Sequence, residues 1–470
     1  MFAHFKKYRF VIDVCGSVLM LFIWMYIYVK ATSYSEWLTL YPFILLGIFF
    51  SWDILNSSPK ITLLSAPYVA YLYLIFTLFG FIVFYPIFPE IKNIRSATTM
   101  AFLSSRFLVK AIAISFIFVL LYSLSCVFFA NLLFKKTSSK VIGKGLSDLA
   151  ESSKRKHDFA LCAIPVLGIC VLFFWLYGLM HPSMFHLSYG DRTTDTSSDS
   201  IFIHATYVMA LSVIIIFATG NKKEIVIGAC LFACAAGFHF LIGNRGEIYY
   251  PLLACIAVYV KRKGTFKRKT IITGVIFSLL LITLVRTLRS SGSIANSAGA
   301  YLLSISPLES IAEAFGEMGF QIGTIVYLLE YLSFGGIFQW GYTYLYSIQN
   351  FFSKYLPFIH SVDANSPAAI KTIMPTDYFA FTNVGEVYFN FGILGVIFFG
   401  FLFSYFLCKA AQGLRNMWCD LFIDMCIYMC LLLIRNTTAS LMVNISWMIV
   451  LLIFCNIFSK FVECIRSKYA

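Results

Sequence analysis

Long apolar runs separated by short polar and basic segments dominate this chain. Runs of about 17 to 25 mostly apolar residues suit a bilayer core of about 30 Å. They predict twelve membrane spans, centred near residues 20, 46, 75, 122, 169, 210, 233, 252, 279, 397, 426 and 449. The basic start "FKKYR" precedes an apolar run reaching Tyr28, which reads as a retained first span and not a cleaved leader. The expected fold is an all-α polytopic membrane protein with about 12 transmembrane helices. Its segments are spans 1–4 in 1–134, a basic linker in 135–158, spans 5–9 in 159–289, a long outer loop in 290–384, and spans 10–12 in 385–470.

Composition agrees: 60% of residues are hydrophobic and 12% charged, with a mean hydropathy of +0.82. The charge then orients the spans, because basic loops stay cytoplasmic. With the N-terminus inside, inner segments hold 24 of the 36 Lys and Arg and 9 of the 22 acids, a net +15 against −1 outside. Both termini are expected to be cytoplasmic, and the basic excess needs no nucleic acid to explain it. The 13 cysteines lie in spans or inner segments and show no disulfide framework or zinc spacing. Cys230/Cys234 and Cys426/Cys430 read as small apolar packing residues on helix faces.

Among the connections, 135–158 is a basic inner segment suited to lipid headgroups, 181–200 a polar outer loop, and 290–384 too long to be a mere connector. That last segment carries helix signals. In "SPLESIAEAFGEMG", Ser306 caps, Pro307 starts the helix and Glu309 completes a capping box. Leu308, Ile311, Phe315 and Met318 form an expected apolar face, while Glu309, Glu313 and Glu317 form an acidic row. Farther on, "GGIFQWGYTYLYSIQNFF" supplies Trp340, Tyr342, Tyr344 and Tyr346, which suit either interfacial anchoring or stacking on sugars. No internal repeat is evident, which weighs against repeat-built transporter folds.

Candidate chemistry begins at "FLIGNRGEIYYPLL". The run Ile248–Val260 has 13 residues, roughly 20 Å of helix against a core of about 30 Å, so the span must begin earlier. That places Arg245, Gly246 and Glu247 at hydrocarbon depth, where charge is tolerated in a cavity or when paired. Arg245 then either meets an anion in an outward cavity, or snorkels or pairs with an acid. Arg286 and Arg289 in "VRTLR" and Arg435 in "LLLIRNTTAS" add guanidinium groups where positive charge is scarce. Their planar donor forks suit phosphate or diphosphate. No carboxylate cluster argues for Mg²⁺ or another metal. Glu317, Asp377 and Glu386 are candidates for deprotonating an acceptor hydroxyl. Around Glu386, Gly385, Gly392 and Gly395 permit close approach of backbone or ligand, helix packing being sufficient for Gly395.

The "GNRGE" turn, "VRTLR" leading into one long late loop, "GEVYFNFGILG" at re-entry and the Arg435 turn, in that order, together resemble the Wzy-type O-antigen polymerases over roughly residues 225–460. The resemblance implies a GT-C-like membrane glycosyltransferase that needs no metal or cofactor. It would join undecaprenyl-diphosphate-linked oligosaccharide repeats at the periplasmic face of the bacterial inner membrane, with membrane lipid and a chain-length regulator protein as partners. Carried onto this chain, Arg245, Arg286, Arg289 and Arg435 would bind diphosphate, and Trp340, Tyr342 and Tyr344 would bind sugar. Glu386, or a loop acid such as Glu317 or Asp377, would orient or deprotonate the acceptor. The related O-antigen ligases usually carry a histidine just before the glycine re-entry, where this chain reads "DYFAFTNVGEVYFNFG". A lipid-linked oligosaccharide flippase would more naturally show two similar halves and short loops.

Overall fold

The computed structural model describes residues 2–31, 37–93, 103–135, 146–182, 200–242, 246–264, 266–267, 269–274, 307–353, 356, 358–360, 370, 373, 381–414, 416–436 and 438–469. The described residues form helices and no strands. They are α1 (Phe2–Lys30), α2 (Tyr41–Ser57), α3 (Ala66–Phe84), α4 (Leu108–Lys135), α5 (Leu146–Met180), α6 (Ser200–Thr219) and α7 (Lys222–Leu241). There follow α8 (Gly246–Lys263), α9 (Pro307–Gly319), α10 (Gln321–Ser333), α11 (Tyr342–Ser353), α12 (Asn383–Gln412), α13 (Met417–Arg435) and α14 (Thr438–Tyr469).

Ten helices among the described residues are long and apolar enough to cross a membrane. They fall on ten of the twelve expected centres. The expected span near 252 is α8, an 18-residue helix whose last turn is Lys261, Arg262 and Lys263; the one near 279 lies largely outside the described residues. The basic segment expected as a linker is helical from Leu146 and runs into its span without interruption. Large apolar side chains such as Phe22, Ile169, Leu394 and Phe398 point outward from their helices. In water such a surface would drive aggregation; in a bilayer it is the lipid contact. All 13 cysteines are free thiols, Cys426 and Cys430 buried and Cys230 and Cys234 exposed on their helix.

The chain divides into two compact units: Met1–Ser138 with Ala312–Gln412 and Cys430–Val443, and Ser139–Ile311 with Gly413–Met429 and Asn444–Ala470. In the first, α4 is the central helix, packed against α1, α2, α3, α10 and α12. Helices α4 and α12 run parallel: Phe118 meets Phe399 and Phe403, the Cys408 thiol bonds the Cys126 carbonyl, and Gln412 Nε2 donates to the Leu133 carbonyl at 2.7 Å. Their N-terminal ends therefore lie at the same end of this unit.

In the second unit, α6 packs against α5, α7 and α8. Charges at one end are paired where they are buried, which offsets the cost of removing them from water. Lys261 Nζ bonds Asp420 at 2.7 Å and Asp424 at 2.6 Å. Arg466 holds Asp158 at 2.8 Å, and His157 meets Glu224, whose other carboxylate oxygen accepts from Asn221 N in a capping box that starts α7. Arg262 donates to the carbonyls of Phe217 and Gly220 at the end of α6, as a cation at a helix C-terminus should.

Helix α9 begins at Pro307 as expected; its expected cap, Ser306, lies outside the described residues. The apolar face differs from the one its large residues suggest. Leu308 is 66% exposed, and the buried positions are Ala312, Ala314, Gly316 and Gly319. The cause is close packing: a Cβ on Gly319 would stand 1.9 Å from the Phe81 nitrogen of α3, and one on Gly80 would stand 2.3 Å from the Phe315 carbonyl oxygen. Between these glycines Phe315 stacks on Phe76 and Phe84, with ring centroids 4.2 and 5.5 Å apart. Gly319→Ala is therefore expected to destabilise the solubilised protein by ~1–3 kcal/mol, the range for overpacking, while Gly168→Ala, with open space at its Cβ, is neutral or stabilising. Thermal unfolding in detergent, followed by tryptophan fluorescence, compares the two.

Candidate active site

The re-entry helix α12 is interrupted at Gly392, whose φ of 62° and ψ of −154° belong to a region essentially reserved for glycine. A residue in that conformation breaks the i to i+4 ladder across it, and carbonyls in the preceding turn need other donors. The aromatic loop segment supplies them. Gln339 N donates to the Phe389 carbonyl at 3.0 Å and Trp340 N to the Asn390 carbonyl at 3.1 Å. Gly341 N then donates to Asn390 Oδ1 at 2.8 Å. Trp340 adopts a left-handed backbone, φ 49°, followed by Gly341 at φ 91°, which turns the chain into α11. The Trp340 ring stands 79% exposed above this stitch.

The first turns of α12 carry a polar cluster. Thr382 begins the helix: its carbonyl accepts from Glu386 N at 3.0 Å and its hydroxyl from Gly385 N at 3.3 Å. Glu386 is fully buried. Its Oε1 accepts from the Thr343 hydroxyl at 3.1 Å, and its Oε2 from both the backbone N–H and the hydroxyl of Thr438, at 3.0 and 3.1 Å. Asn390, one turn along, donates to Thr343 Oγ1 at 2.6 Å and to the Glu386 carbonyl at 2.8 Å. Thr438 opens α14, so the Glu386 carboxylate sits at the positive end of a helix and satisfies donors that the helix itself cannot. One acid thus joins the loop helix α11, the re-entry helix and the start of the last span, all within the first unit.

This arrangement brings the expected site residues Glu386 and Arg435 onto adjoining elements, with the aromatic row beside them. Arg435 is the last residue of α13, half-buried, three positions before Thr438, and so lies on the turn that Glu386 holds. The aromatic row joins through Thr343. Tyr342 is exposed; Tyr344 is half-buried and stacks on Phe391 at 6.2 Å. Burial, and next the nearby Glu386 carboxylate, hold the Tyr344 phenol well above its ordinary pKa, so it stays a proton donor across the physiological range. Glu317 is half-buried on α9. Arg245, Arg286, Arg289 and Asp377 lie outside the described residues. Glu247, expected beside Arg245, is half-buried in the first turn of α8.

Thr343, Asn390 and Thr438 were not singled out by the sequence. For Thr438 a signal was there, since "RNTTAS" before an apolar run is a helix-start pattern. Thr343 and Asn390 are uncharged and sit among aromatics, so their function as partners of Glu386 emerges only from the fold. Among the described residues no group of three or more His, Cys, Asp or Glu side chains gathers as a metal site.

Comparisons with known proteins follow the same lines. Protein CapE of Staphylococcus aureus is 23% identical over 211 residues, which cover 45% of this chain and 46% of that protein, so the match spans under half of either. No solved structure matches the chain. The model of the O-antigen polysaccharide polymerase Wzy family matches residues 11–468. With its kinked re-entry helix and the loop stitched to that kink inside the matched region, the chain belongs to the O-antigen polysaccharide polymerase Wzy family.

Proposed function

We propose that this protein is a membrane glycosyltransferase that lengthens a surface polysaccharide from undecaprenyl-diphosphate-linked oligosaccharide repeats. The work would take place at the outer face of the bacterial cytoplasmic membrane, with both termini inside. Family membership supports the reaction class. The observation that carries the site is the buried Glu386, which ties the loop helix, the re-entry helix and the Arg435 turn into one assembly.

In this reading the acceptor sugar hydroxyl on an incoming lipid-linked repeat attacks the anomeric carbon of the growing chain. The anomeric C–O bond to diphosphate breaks, the lipid diphosphate leaves with the electron pair, and the hydroxyl proton passes to a carboxylate. Arg245, Arg286, Arg289 and Arg435 hold the diphosphate and balance its charge, with no metal. Trp340, Tyr342 and Tyr344 offer faces and a phenol donor to sugar. Glu386 is enclosed and already accepts three hydrogen bonds, which suits a positioning residue. Proton removal then falls to a loop acid, Glu317 or Asp377.

A deletion strain complemented with Arg435→Ala or Arg289→Ala is expected to display single repeats in place of a polysaccharide ladder. A ligase or flippase would instead leave no repeats at the surface, and a normal ladder from well-expressed variants would refute the diphosphate role. Losing charge-assisted bonds at Glu386 costs about 1.5–3 kcal/mol, so Glu386→Gln should slow chain growth roughly 10- to 100-fold. Thr438→Ser, which keeps both donors, should restore full ladder length, whereas Thr438→Val should shorten it; equal ladders from the two would contradict the positioning role. Purified protein should also extend lipid-linked repeats in EDTA, and activity lost there and regained with Mg²⁺ would overturn the metal-free mechanism.

A further inference from the structure

The first unit carries a second polar feature, at the same end as Glu386, that the glycosyl-transfer chemistry leaves unused. Lys110 is the third residue of α4, a helix with no acid in its first turn. A lysine there faces the positive end of the helix dipole, so the helix opposes its charge. Arg106, four residues earlier and also cationic, lies over the Phe107 ring at 4.8 Å. Lys110 is half-buried, with Nζ 5.0 Å from the centroid of the Tyr28 ring. Among the described residues no carboxylate pairs with Lys110. Glu330, at the neighbouring Ser105, takes that serine's hydroxyl at 2.7 Å.

Tyr28 completes the group. Its hydroxyl lies 3.1 Å from that of Tyr388 on α12, and either oxygen can be the donor. Two phenols bring two O–H groups, and one is spent between them, so one remains to donate. The corner therefore presents an ammonium and a phenol donor with, among the described residues, no carboxylate paired to them. Such a set matches an oxyanion, and a neutral sugar would leave the charge unbalanced. Its depth narrows the source. The span Leu108–Leu133 has 26 residues, ~39 Å of helix against a core of about 30 Å, which puts its first turn at headgroup level.

We propose that Lys110, with the Tyr28–Tyr388 hydroxyl pair, forms a binding site for a lipid-borne phosphate. The phosphate could belong to a polyprenyl diphosphate carrier, an assignment that rests on the polymerase reading, or to a membrane phospholipid. The site itself stands on either. Its test is lipid retention, which is read apart from chain growth.

Full-length protein in neutral detergent, titrated with undecaprenyl diphosphate, phosphatidylglycerol and undecaprenol and read by native mass spectrometry, separates the sources. Lys110→Gln is expected to weaken at least one phosphate-bearing lipid by ~10-fold, with Lys110→Arg close to wild type and undecaprenol unaffected. A loss confined to undecaprenyl diphosphate identifies the carrier; a loss for phosphatidylglycerol, alone or as well, identifies headgroup phosphate. Wild-type affinity of Lys110→Gln for both would overturn the site. If that variant does not fold, the double variant Tyr28→Phe/Tyr388→Phe, which removes both O–H groups, takes its place: ~3-fold weaker retention supports the site, and unchanged retention overturns it.

Discussion

A polypeptide inside a bilayer has no water to complete its hydrogen bonds, and one end of the first unit is arranged around a place where the backbone breaks that economy. At Gly392 the re-entry helix departs from helical geometry, and carbonyls before it lose their usual partners. Each unmet group would cost several kcal/mol in hydrocarbon. The nitrogens of Gln339 and Trp340 meet the carbonyls of Phe389 and Asn390. The kink and the loop are thus mutually dependent: the helix can bend because the loop is there, and the loop is held because the helix bends.

The carboxylate of Glu386 extends the same dependence to a third segment. Buried charge is tolerable when donors surround it, and its donors come from Thr343 on one side and Thr438 on the other. These residues are 43 and 52 positions away from it in sequence. Removing the charge would loosen the loop helix and the start of the last span together. In the same unit, α9 is pressed onto α3 by a glycine on each helix, Gly319 and Gly80, so the loop segment before α10 is held by close backbone packing as well.

What the sequence made legible, and what it hid, follows from the range of the forces. Spans are set by length and apolarity, which are local, and ten expected centres meet suitable helices. Pro307 marks the start of α9 for an equally local reason. The buried face of α9 was misread because large residues were given weight, while the actual contact uses Gly319 of α9 and Gly80 of α3 to let backbones approach. Gly392 was recognisable as a position of close approach, but not as a break that recruits the "FQWG" segment. Glu386 stood out because a carboxylate at a membrane boundary is costly. Its partners did not, since a threonine announces nothing until the fold places it beside a charge. Lys110 was counted as one outer charge among twelve, and its setting beside Tyr28 required three helices to come together.

The stitch at the kink uses main-chain nitrogens of the loop, those of Gln339, Trp340 and Gly341, and acceptors on the helix alone. Every residue but proline owns such a nitrogen. The attachment is therefore blind to which side chains the loop displays, apart from the glycine that makes the turn. Ile337 and Trp340 remain exposed above it and can be exchanged without unfastening the loop, whereas Phe338 also packs on the Tyr388 ring. The fastening and the displayed surface are separable parts, so one scaffold can present different aromatic faces while its anchoring stays constant.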